Sequence, residues 1–181
     1  MPFSEFIMKA VGIIHTPFKN VSDNVPVQGR LRPGIEGRVE IFPEYRDACR
    51  DLHGFSHLFL VYYLGLSTEE RLMTKPYMDT IPRGIFSTRS PHRPNHIGLS
   101  LVTLVNVEPG MLVVRDVDML DGTPLLDIKP YNPLFDALRE GEALKTGWMR
   151  NISAGSNDRG ILVTRSKDEW LQVDRHTDEM K

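Results

Sequence analysis

The chain has 181 residues, enough for one compact domain that buries its own core. Its 22 basic and 24 acidic side chains give a formal net charge of −2, so any polyanion must be met by a local basic patch. The single cysteine, Cys49, excludes an intramolecular disulfide and a cysteine zinc site. With no export signal and no apolar run near the roughly 20 residues that span a bilayer, we expect a soluble, cytoplasmic protein.

The amino-terminal half of the chain is predicted to contain three strands and one helix. Pro43 followed by Glu44 suits the first turn of a helix, and Gly54 is a natural end for it. One face of that helix would carry Tyr45, Ala48, Cys49 and Leu52. In chain order, the predicted elements are a strand over residues 6–14, a polar loop over 20–32, a strand over 38–42, the helix over 43–54 and a buried strand over 57–64.

The carboxy-terminal half is predicted to add a hairpin and a further strand. Ser67 and Glu70 have the spacing of a capping box for one short helical turn, and Asn132-Pro133 suits the start of a short helix that extends through Leu138. The predicted strands cover residues 99–107 and 111–117, joined through Pro109-Gly110, then 125–129 and finally 160–166. At least six strands against one good helix predict a mainly β protein, an antiparallel β-barrel or strongly curved sheet with a few peripheral helices.

Residues 84–100 (GIFSTRSPHRPNHIGLS) place two arginines, Arg89 and Arg93, among prolines. Proline fixes its own φ and restricts the residue before it, so the loop should be stiff. A guanidinium held in such a loop loses less entropy when it binds a phosphate or carboxylate. The alternative is that both arginines pair within the protein, with carboxylates such as Asp116, Asp118 or Asp121.

The same loop also contains Asn95, His92 and His96. Asn95 can donate and accept hydrogen bonds at once, as recognition of an adenine edge requires, or it can simply form a turn. The two histidines have the spacing of metal ligands on a helix, but the prolines make a helix implausible there. No metal site is therefore predicted.

Residues 118–131 (DMLDGTPLLDIKPY) form the second dense run. Asp121-Gly122 is a strong turn signal, and the strand after it places polar residues in register. That polar face is either a structural ion pair or the lining of a pocket, and Tyr131 favours the pocket by adding a third polar group. On strand parity, Leu126 and Ile128 share one face, while Leu125, Asp127, Lys129 and Tyr131 share the other.

Several common nucleotide-binding and catalytic motifs are missing. The chain has no GxxxxGK[ST] phosphate loop, no GxGxxG sequence after a strand and no GxSxG nucleophile elbow. P-loop chemistry and Rossmann dinucleotide binding are therefore not supported. The stiff arginine loop and the Asp/Lys/Tyr strand instead predict a site for a small molecule with anionic and adenine-like features.

Both dense runs closely resemble the TsaA-like, or YaeB-like, family, whose characterised members are S-adenosylmethionine-dependent tRNA methyltransferases of the TrmO type. The match extends from about Val11 to Pro133, with Val11-Gly12-Ile13-Ile14 and Gly54-Phe55-Ser56-His57-Leu58 as weaker supporting pieces. The resemblance implies a non-Rossmann β-barrel over residues 1–135, with a short extension over 136–181 that packs on the barrel or continues it. It also implies S-adenosyl-L-methionine as cofactor, tRNA as substrate and a homodimer with the cofactor site near the subunit interface.

The resemblance further assigns residues to the cofactor site. It implies contacts from Gln28, Gly29 and Arg30, from His57 and Leu58, from Arg89 and Leu99, and from the turn Asp121, Gly122 and Thr123. In one departure, His96 stands where the family usually has proline, which would loosen the loop.

The implied reaction is methylation of N6 of threonylcarbamoyladenosine, the modified adenosine next to the anticodon. Methyl transfer from a sulfonium is an in-line displacement, so positioning should dominate the catalysis, with a base to take the N6 proton. Asp127, Asp121 and Tyr131 are candidate bases, of which Tyr131 and Asp127 are favoured. Arg93, with Lys129, could bind the threonyl carboxylate or a phosphate. The alternatives are a module that only senses S-adenosylmethionine or a nucleotide, and a small-molecule methyltransferase on the same scaffold.

Overall fold

Six strands of this protein close into an antiparallel barrel in the computed structural model, which describes residues 6–76 and 79–151. In order around the barrel they are β1 (Gly12–His15), β2 (Glu36–Ile41), β7 (Met111–Arg115), β6 (Ile97–Glu108), β3 (His57–Tyr63) and β8 (Thr123–Pro130), and β8 pairs back with β1. The predicted mainly β fold, an antiparallel β-barrel with few helices, is confirmed.

The barrel core follows from the alternation of side chains along each strand. In β3, Leu58, Leu60 and Tyr62 are buried while the residues between them are only partly covered. β2 alternates in the same way, with Val39 and Ile41 inside. Each buried aliphatic side chain contributes about 1.5–3 kcal/mol. The core is completed by Ile14, Phe18, Val102, Leu112, Val114, Val117, Met119 and Leu125.

The predicted strands are present, with altered ends. The first strand begins at Gly12 and not at Phe6, although the Val11 amide already donates to the Leu125 carbonyl at 2.8 Å. The predicted hairpin joins β6 to β7 through Pro109 and Gly110, and Gly110 has a φ of 74°. A left-handed residue at this turn is accommodated by glycine without strain.

The helix predicted over residues 43–54 is wrong in type and length. Residues Pro43–Cys49 form 3-10 turns, and a second short 3-10 segment covers Leu52–Gly54. Asp51 has a φ of 69°, which interrupts the helical backbone between the two segments. Of the residues predicted to share a face, Tyr45, Cys49 and Leu52 do pack against the core, whereas Ala48 is exposed.

The capping box predicted at Ser67 and Glu70 is also wrong, because residues 67–70 form no helix. The Ser67 hydroxyl is buried and lies 3.1 Å from His92 Nδ1, so it joins two distant loops. The segment between β3 and β6 instead carries two very short paired strands, β4 (Met73–Thr74) and β5 (Arg83–Gly84). We call residues 66–87 the arm.

A short helix and a 3-10 segment follow the barrel. Helix α1 (Pro133–Asp136) begins as predicted, with Asn132 Oδ1 accepting a hydrogen bond from the Leu134 amide at 3.0 Å. It ends before the predicted Leu138, because Ala137 has an extended backbone. The 3-10 segment is Gly147–Asn151, and the Trp148 indole N–H donates to the Ser87 carbonyl at 2.8 Å.

The strand predicted over residues 160–166 lies outside the described residues, and the domain boundary at residue 135 stays a prediction. No helix within residues 6–76 and 79–151 has the length and apolar character needed to cross a membrane.

Candidate functional site

A tight turn of the loop between β1 and β2 lies against the end of the barrel. The turn is the 3-10 segment Gly29–Leu31, and the buried Gly29 donates its amide hydrogen to Asp118 Oδ2 at 2.8 Å. A β-carbon at residue 29 would lie 1.7 Å from the carbonyl oxygen of Asp116. Only glycine therefore allows this turn to approach the barrel so closely.

Asp118 is the centre of a hydrogen-bond network at this position. Its Oδ1 accepts hydrogen bonds from the Ser100 hydroxyl and, at 3.4 Å, from the Tyr62 hydroxyl; these two hydroxyls lie 3.0 Å apart. Tyr62 and Ser100 are buried, and Asp118 is partly buried. Burial raises the pKa of Asp118, while the hydrogen bonds from Ser100 and Gly29 act in the opposite direction. The result is a carboxylate held in one orientation.

Arg89 lies beside the same network. The guanidinium donates from Nη1 to Gln28 Oε1, and its charge favours the ionised form of Asp118. Arg89 is exposed, as is Arg30 on the adjoining turn. The structure therefore brings together Gln28, Gly29 and Arg89, three of the residues assigned to the cofactor site from the sequence.

Arg93 holds the proline-rich loop together from within. Its Nη1 donates to the carbonyl oxygens of Thr88 at 3.0 Å and Ser90 at 3.4 Å, and its guanidinium carbon lies 6.0 Å from the centre of the Phe86 ring. The alternative in which Arg93 pairs with a nearby aspartate is not observed. The carboxylates of Asp116, Asp118 and Asp121 are held by other groups.

His96 anchors this loop, contrary to the expectation that it loosens it. Its Nδ1 lies 3.0 Å from the Pro91 carbonyl oxygen, and its own carbonyl accepts the Leu64 amide at 2.8 Å. The backbone of His96 has a φ of 45°, which a proline cannot adopt. The chain therefore follows a path here that requires a residue other than proline.

The turn of Asp121, Gly122 and Thr123 lies against the end of β1. Asp121 pairs with Lys19 Nζ at 2.8 Å and accepts the Thr16 amide at 3.0 Å, and the hydrogen bond from Lys19 lowers the pKa of Asp121. No hydrogen bond among the described residues joins this turn to Gln28 or Arg89. The turn borders a separate groove of about 280 Å³, lined by His15, Thr16, Lys19, Glu36, Gly37, Arg38, Val113 and Asp121.

The parity predicted for β8 is wrong at Leu125, because the pairing of β3 with β8 shifts register beside Leu126, whereas Asp127, Lys129 and Tyr131 share one face as predicted. Leu125 is buried and Ile128 also packs against the core, so the two lie on the inner side despite their odd spacing. Asp127 and Lys129 face outward and form an exposed ion pair at 2.9 Å. The sequence left open whether this pair is a structural ion pair or the lining of a pocket. The structure shows an ion pair on the outer face of the barrel.

Tyr131 lies on the same outer face, where its ring is 6.3 Å from that of His57 and 5.9 Å from that of Phe59. On this face Leu99 and Asp127 both pair with Val61, so they lie two strand spacings apart, about 10 Å. The Leu58 side chain, by contrast, is fully buried in the core, which leaves only its backbone for a ligand contact.

The sequence did not predict that Tyr62, Ser100 and Asp118 form one site. They come from three different parts of the chain, and only the closed barrel brings their polar atoms together. Alternation offered one signal: Ser100 occupies an inward position of β6 between the buried Gly98 and Val102. A hydroxyl at such a position needs a buried partner.

The described residues contain no group of three or more histidine, cysteine, aspartate or glutamate side chains arranged to hold a metal ion.

Known proteins resemble this chain in sequence and in fold. The family model for the tRNA-methyltransferase O N-terminal domain matches residues 13–137. A probable S-adenosyl-L-methionine-binding protein of Pyrococcus abyssi is 47% identical over 141 residues, which cover 78% of this chain and 74% of that protein.

The tRNA (adenine(37)-N6)-methyltransferase of Escherichia coli is 35% identical over 150 residues, covering 77% of this chain and 63% of the enzyme. A crystal structure of TrmO from Pseudomonas aeruginosa aligns with a TM-score of 0.62 at 33% identity and covers 76% of this chain and 61% of that one. The chain thus spans less than two thirds of both proteins. The matched residues 13–137 comprise all of the barrel except Gly12, the first residue of β1, and the chain belongs to the family of the tRNA-methyltransferase O N-terminal domain.

Proposed function

We propose that this protein binds S-adenosyl-L-methionine beside Asp118 and transfers its methyl group to N6 of threonylcarbamoyladenosine, next to the anticodon of a tRNA. The observation that carries the proposal is the convergence of Gln28, Gly29 and Arg89 on the network of the buried Tyr62 and Ser100 with the partly buried Asp118. Family membership supports the cofactor, and the similarity to tRNA (adenine(37)-N6)-methyltransferases supports the reaction.

The side chains present fit the chemical groups of the cofactor. The exposed Arg89 guanidinium suits a carboxylate, and the Gln28 amide, which already donates to the Val27 carbonyl and accepts from Arg89, keeps one N–H and one lone pair for a purine edge. Asp118 Oδ2 accepts one hydrogen bond, from Gly29, and has a second lone pair for an ammonium or hydroxyl group. A partly buried carboxylate also favours a cationic ligand over a neutral one.

The chain's own contribution to the reaction would be positioning and proton removal. When bound, the cofactor supplies a methyl group activated by a sulfonium. Arg89 and Gln28 would hold the donor, and a base would take the N6 proton of the acceptor. Asp127 and Tyr131 are the candidate bases, and Lys129 could orient an anionic group of the substrate. These three residues share the outer face of the barrel with Leu99.

A homodimer would explain why that outer face is apolar as well as polar. Leu99 and Val105 of β6 and Tyr63 of β3 are exposed, and Leu99 lies on the face that carries the candidate bases. Packing this face against a second copy would cover the apolar side chains and bring one protomer's Asp127 and Tyr131 toward its partner's cofactor site. Sedimentation of the wild-type protein and of a Leu99→Glu variant tests this. A monomeric wild type would contradict the proposal.

The second candidate function is S-adenosylmethionine binding without methyl transfer. It is favoured by the relative of Pyrococcus abyssi and by a protein of Methanothermobacter thermautotrophicus, 45% identical over 134 residues that cover 74% of this chain and 96% of that protein. Both are named only probable S-adenosyl-L-methionine-binding proteins. A small-molecule methyltransferase on the same scaffold is the third possibility.

One experiment separates these functions. The protein is incubated with methyl-labelled S-adenosylmethionine and tRNA that carries or lacks the threonylcarbamoyl group, and the digested nucleosides are analysed. Label only in the modified adenosine is expected. Cofactor binding by calorimetry without label in either tRNA would favour the sensor or a small-molecule acceptor, and transfer of the label to a small molecule of an added RNA-free cell extract would favour the latter.

Arginine variants refine the assignment of the site. Arg89→Ala is expected to weaken cofactor binding, whereas Arg93→Ala should cost more transfer activity than cofactor affinity. Arg115→Ala is a matched control, because Arg115 forms an exposed pair with Glu36 on the barrel surface. Equal losses of binding and transfer in Arg93→Ala would count against its assignment to the substrate.

A further inference from the structure

We propose that Phe86 and Arg93 form a stacking platform for an unpaired base of the RNA substrate, a binding site in addition to the cofactor site. The proposal rests on the proposed function in one respect only, namely that the substrate is RNA. It concerns substrate binding, and its test does not depend on methyl transfer.

Phe86 is a large apolar side chain presented to solvent on a fixed backbone. Its side chain is 77% exposed, yet it lies between the fully buried Ile85 and the buried Thr88. The turn is tied at both ends: the Ser87 hydroxyl donates to the Gly84 carbonyl at 2.8 Å, and the Thr88 hydroxyl donates to the Ile85 carbonyl at 2.8 Å. The ring is therefore held outward and is not simply at the tip of a loose loop.

Arg93 places a cation beside this ring, and an aromatic ring with a neighbouring cation is typical of a nucleic-acid binding site. Its guanidinium lies 6.0 Å from the ring centre, within the range of a cation–π contact, and Nη1 is fixed by the carbonyls of Thr88 and Ser90. In the described structure only Nη1 of Arg93 donates to the protein, so Nε and Nη2 can still bind a phosphate. No aromatic ring and no cation other than Arg93 contacts the Phe86 ring among the described residues.

The charge and chemistry of the surroundings identify an RNA base as the occupant. Single-stranded bases of RNA loops stack on exposed aromatic rings and on arginine guanidinium planes, while neighbouring cations bind the backbone. Phe86 meets this description with Arg93 against it and the exposed Arg89 three residues along the chain. Among the described residues of the arm, the other exposed large apolar side chains are Leu66, Leu72, Met73 and Ile81, and none of them has a ring face for stacking.

The test compares Phe86→Leu with Phe86→Tyr and with the control Leu72→Ala, since Leu72 is 78% exposed on the same arm. The probe is a fluorescein-labelled RNA hairpin that carries the anticodon loop, and its affinity is measured by anisotropy. Loss of one stacked base should weaken RNA binding of Phe86→Leu by roughly 5- to 100-fold. Phe86→Tyr and Leu72→Ala should bind as the wild type does, and the cofactor affinity should be unchanged in all three.

Hairpins with one abasic position at a time identify the base. At one position the abasic change should weaken binding by the wild type but not by Phe86→Leu, because the two changes remove the same contact. RNA binding by Phe86→Leu equal to that of the wild type would overturn the proposal. A difference in oligomeric state between Phe86→Leu and the wild type would also overturn the proposal, because it would show that a second copy of the chain covers the ring.

The two proposals fail in different ways. If the wild type binds RNA and the cofactor but transfers no methyl group, the proposed transferase function fails, and RNA affinity still decides the role of Phe86. If the wild type binds no RNA, both proposals are overturned.

Discussion

Gly98 lies directly against the ring of Tyr62. A β-carbon at residue 98 would be 2.1 Å from one ring carbon and 2.4 Å from the next, and the two residues are paired in the β3–β6 register. The ring cannot shift freely, because the Tyr62 hydroxyl contacts both Ser100 and Asp118. Because Gly98 has no side chain, the ring of Tyr62 can take the position in which its hydroxyl contacts Ser100 and Asp118.

We expect Gly98→Ala to destabilise the protein by about 1–3 kcal/mol, the usual cost of overpacking a buried site. Because Tyr62 must move, cofactor binding should weaken as well. Gly84→Ala is the control, since no atom lies within 4 Å of a β-carbon there, and it should change the free energy of unfolding by about 0.5 kcal/mol or less. Urea denaturation measures both variants. Equal stabilities would mean that the ring of Tyr62 adapts without cost.

Asp118→Asn should change how stability depends on pH. Burial raises the pKa of Asp118 in the folded state above its unfolded value, so the folded protein binds this proton more tightly than the unfolded chain. The wild type should therefore lose stability relative to the variant as pH rises from about 4 through the raised pKa. The measurement is the difference in unfolding free energy between the two proteins across that range. A difference that does not vary with pH would contradict the expected change in the pKa of the partly buried Asp118 on folding.

His96→Pro should destabilise the loop strongly, because proline cannot adopt the φ of 45° found at this residue. A cost of about 3 kcal/mol corresponds to a fall in Tm of roughly 6–12 °C for a chain of this size. His96→Asn should cost far less, since asparagine readily adopts the left-handed conformation. Thermal unfolding followed by circular dichroism measures the Tm of both variants. A proline variant as stable as the asparagine variant would show that the loop can take another path.

Asp127→Asn and Lys129→Gln should leave stability nearly unchanged, because their ion pair is exposed and such pairs contribute about 1 kcal/mol or less. If Asp127 is a base, its variant should lose methyl transfer by roughly 100-fold or more. Tyr131→Phe tests the other candidate base separately. Arg115→Gln, which removes one partner of another exposed ion pair, is the control. Full activity in Asp127→Asn would remove this residue from the proton-transfer step.

The strands of the barrel could be predicted because each carries a regular alternation, as Leu58, Leu60 and Tyr62 illustrate. The errors arose where long-range contacts or single residues override a local pattern. Ser67 has the spacing of a helix cap but is buried against His92, which lies 25 residues away in the chain. At Leu126, one extra residue in the strand moves Leu125 to the face opposite the predicted one, and alternation alone does not reveal such a bulge.

The candidate site was predicted only in part for the same reason. Gln28, Gly29 and Arg89 could be assigned by resemblance to a family, and the structure brings them together. Ser100 looks like an ordinary strand residue and Asp118 like an ordinary loop carboxylate until the barrel closes, since their role depends on a hydrogen bond across 18 residues of sequence.

Gly29 has a consequence for how this barrel could diversify. It is pinned on two sides, by its amide hydrogen bond to Asp118 and by the carbonyl of Asp116 against its α-carbon. The connection between β1 and β2 is therefore two loops, residues 16–28 and 30–35, that share one fixed point. Arg32 Nη1 also donates to the Asn24 carbonyl at 3.2 Å across the two loops, so a longer or altered loop on one side of the site leaves the other side in place when it keeps this exposed contact and the fixed point at Gly29.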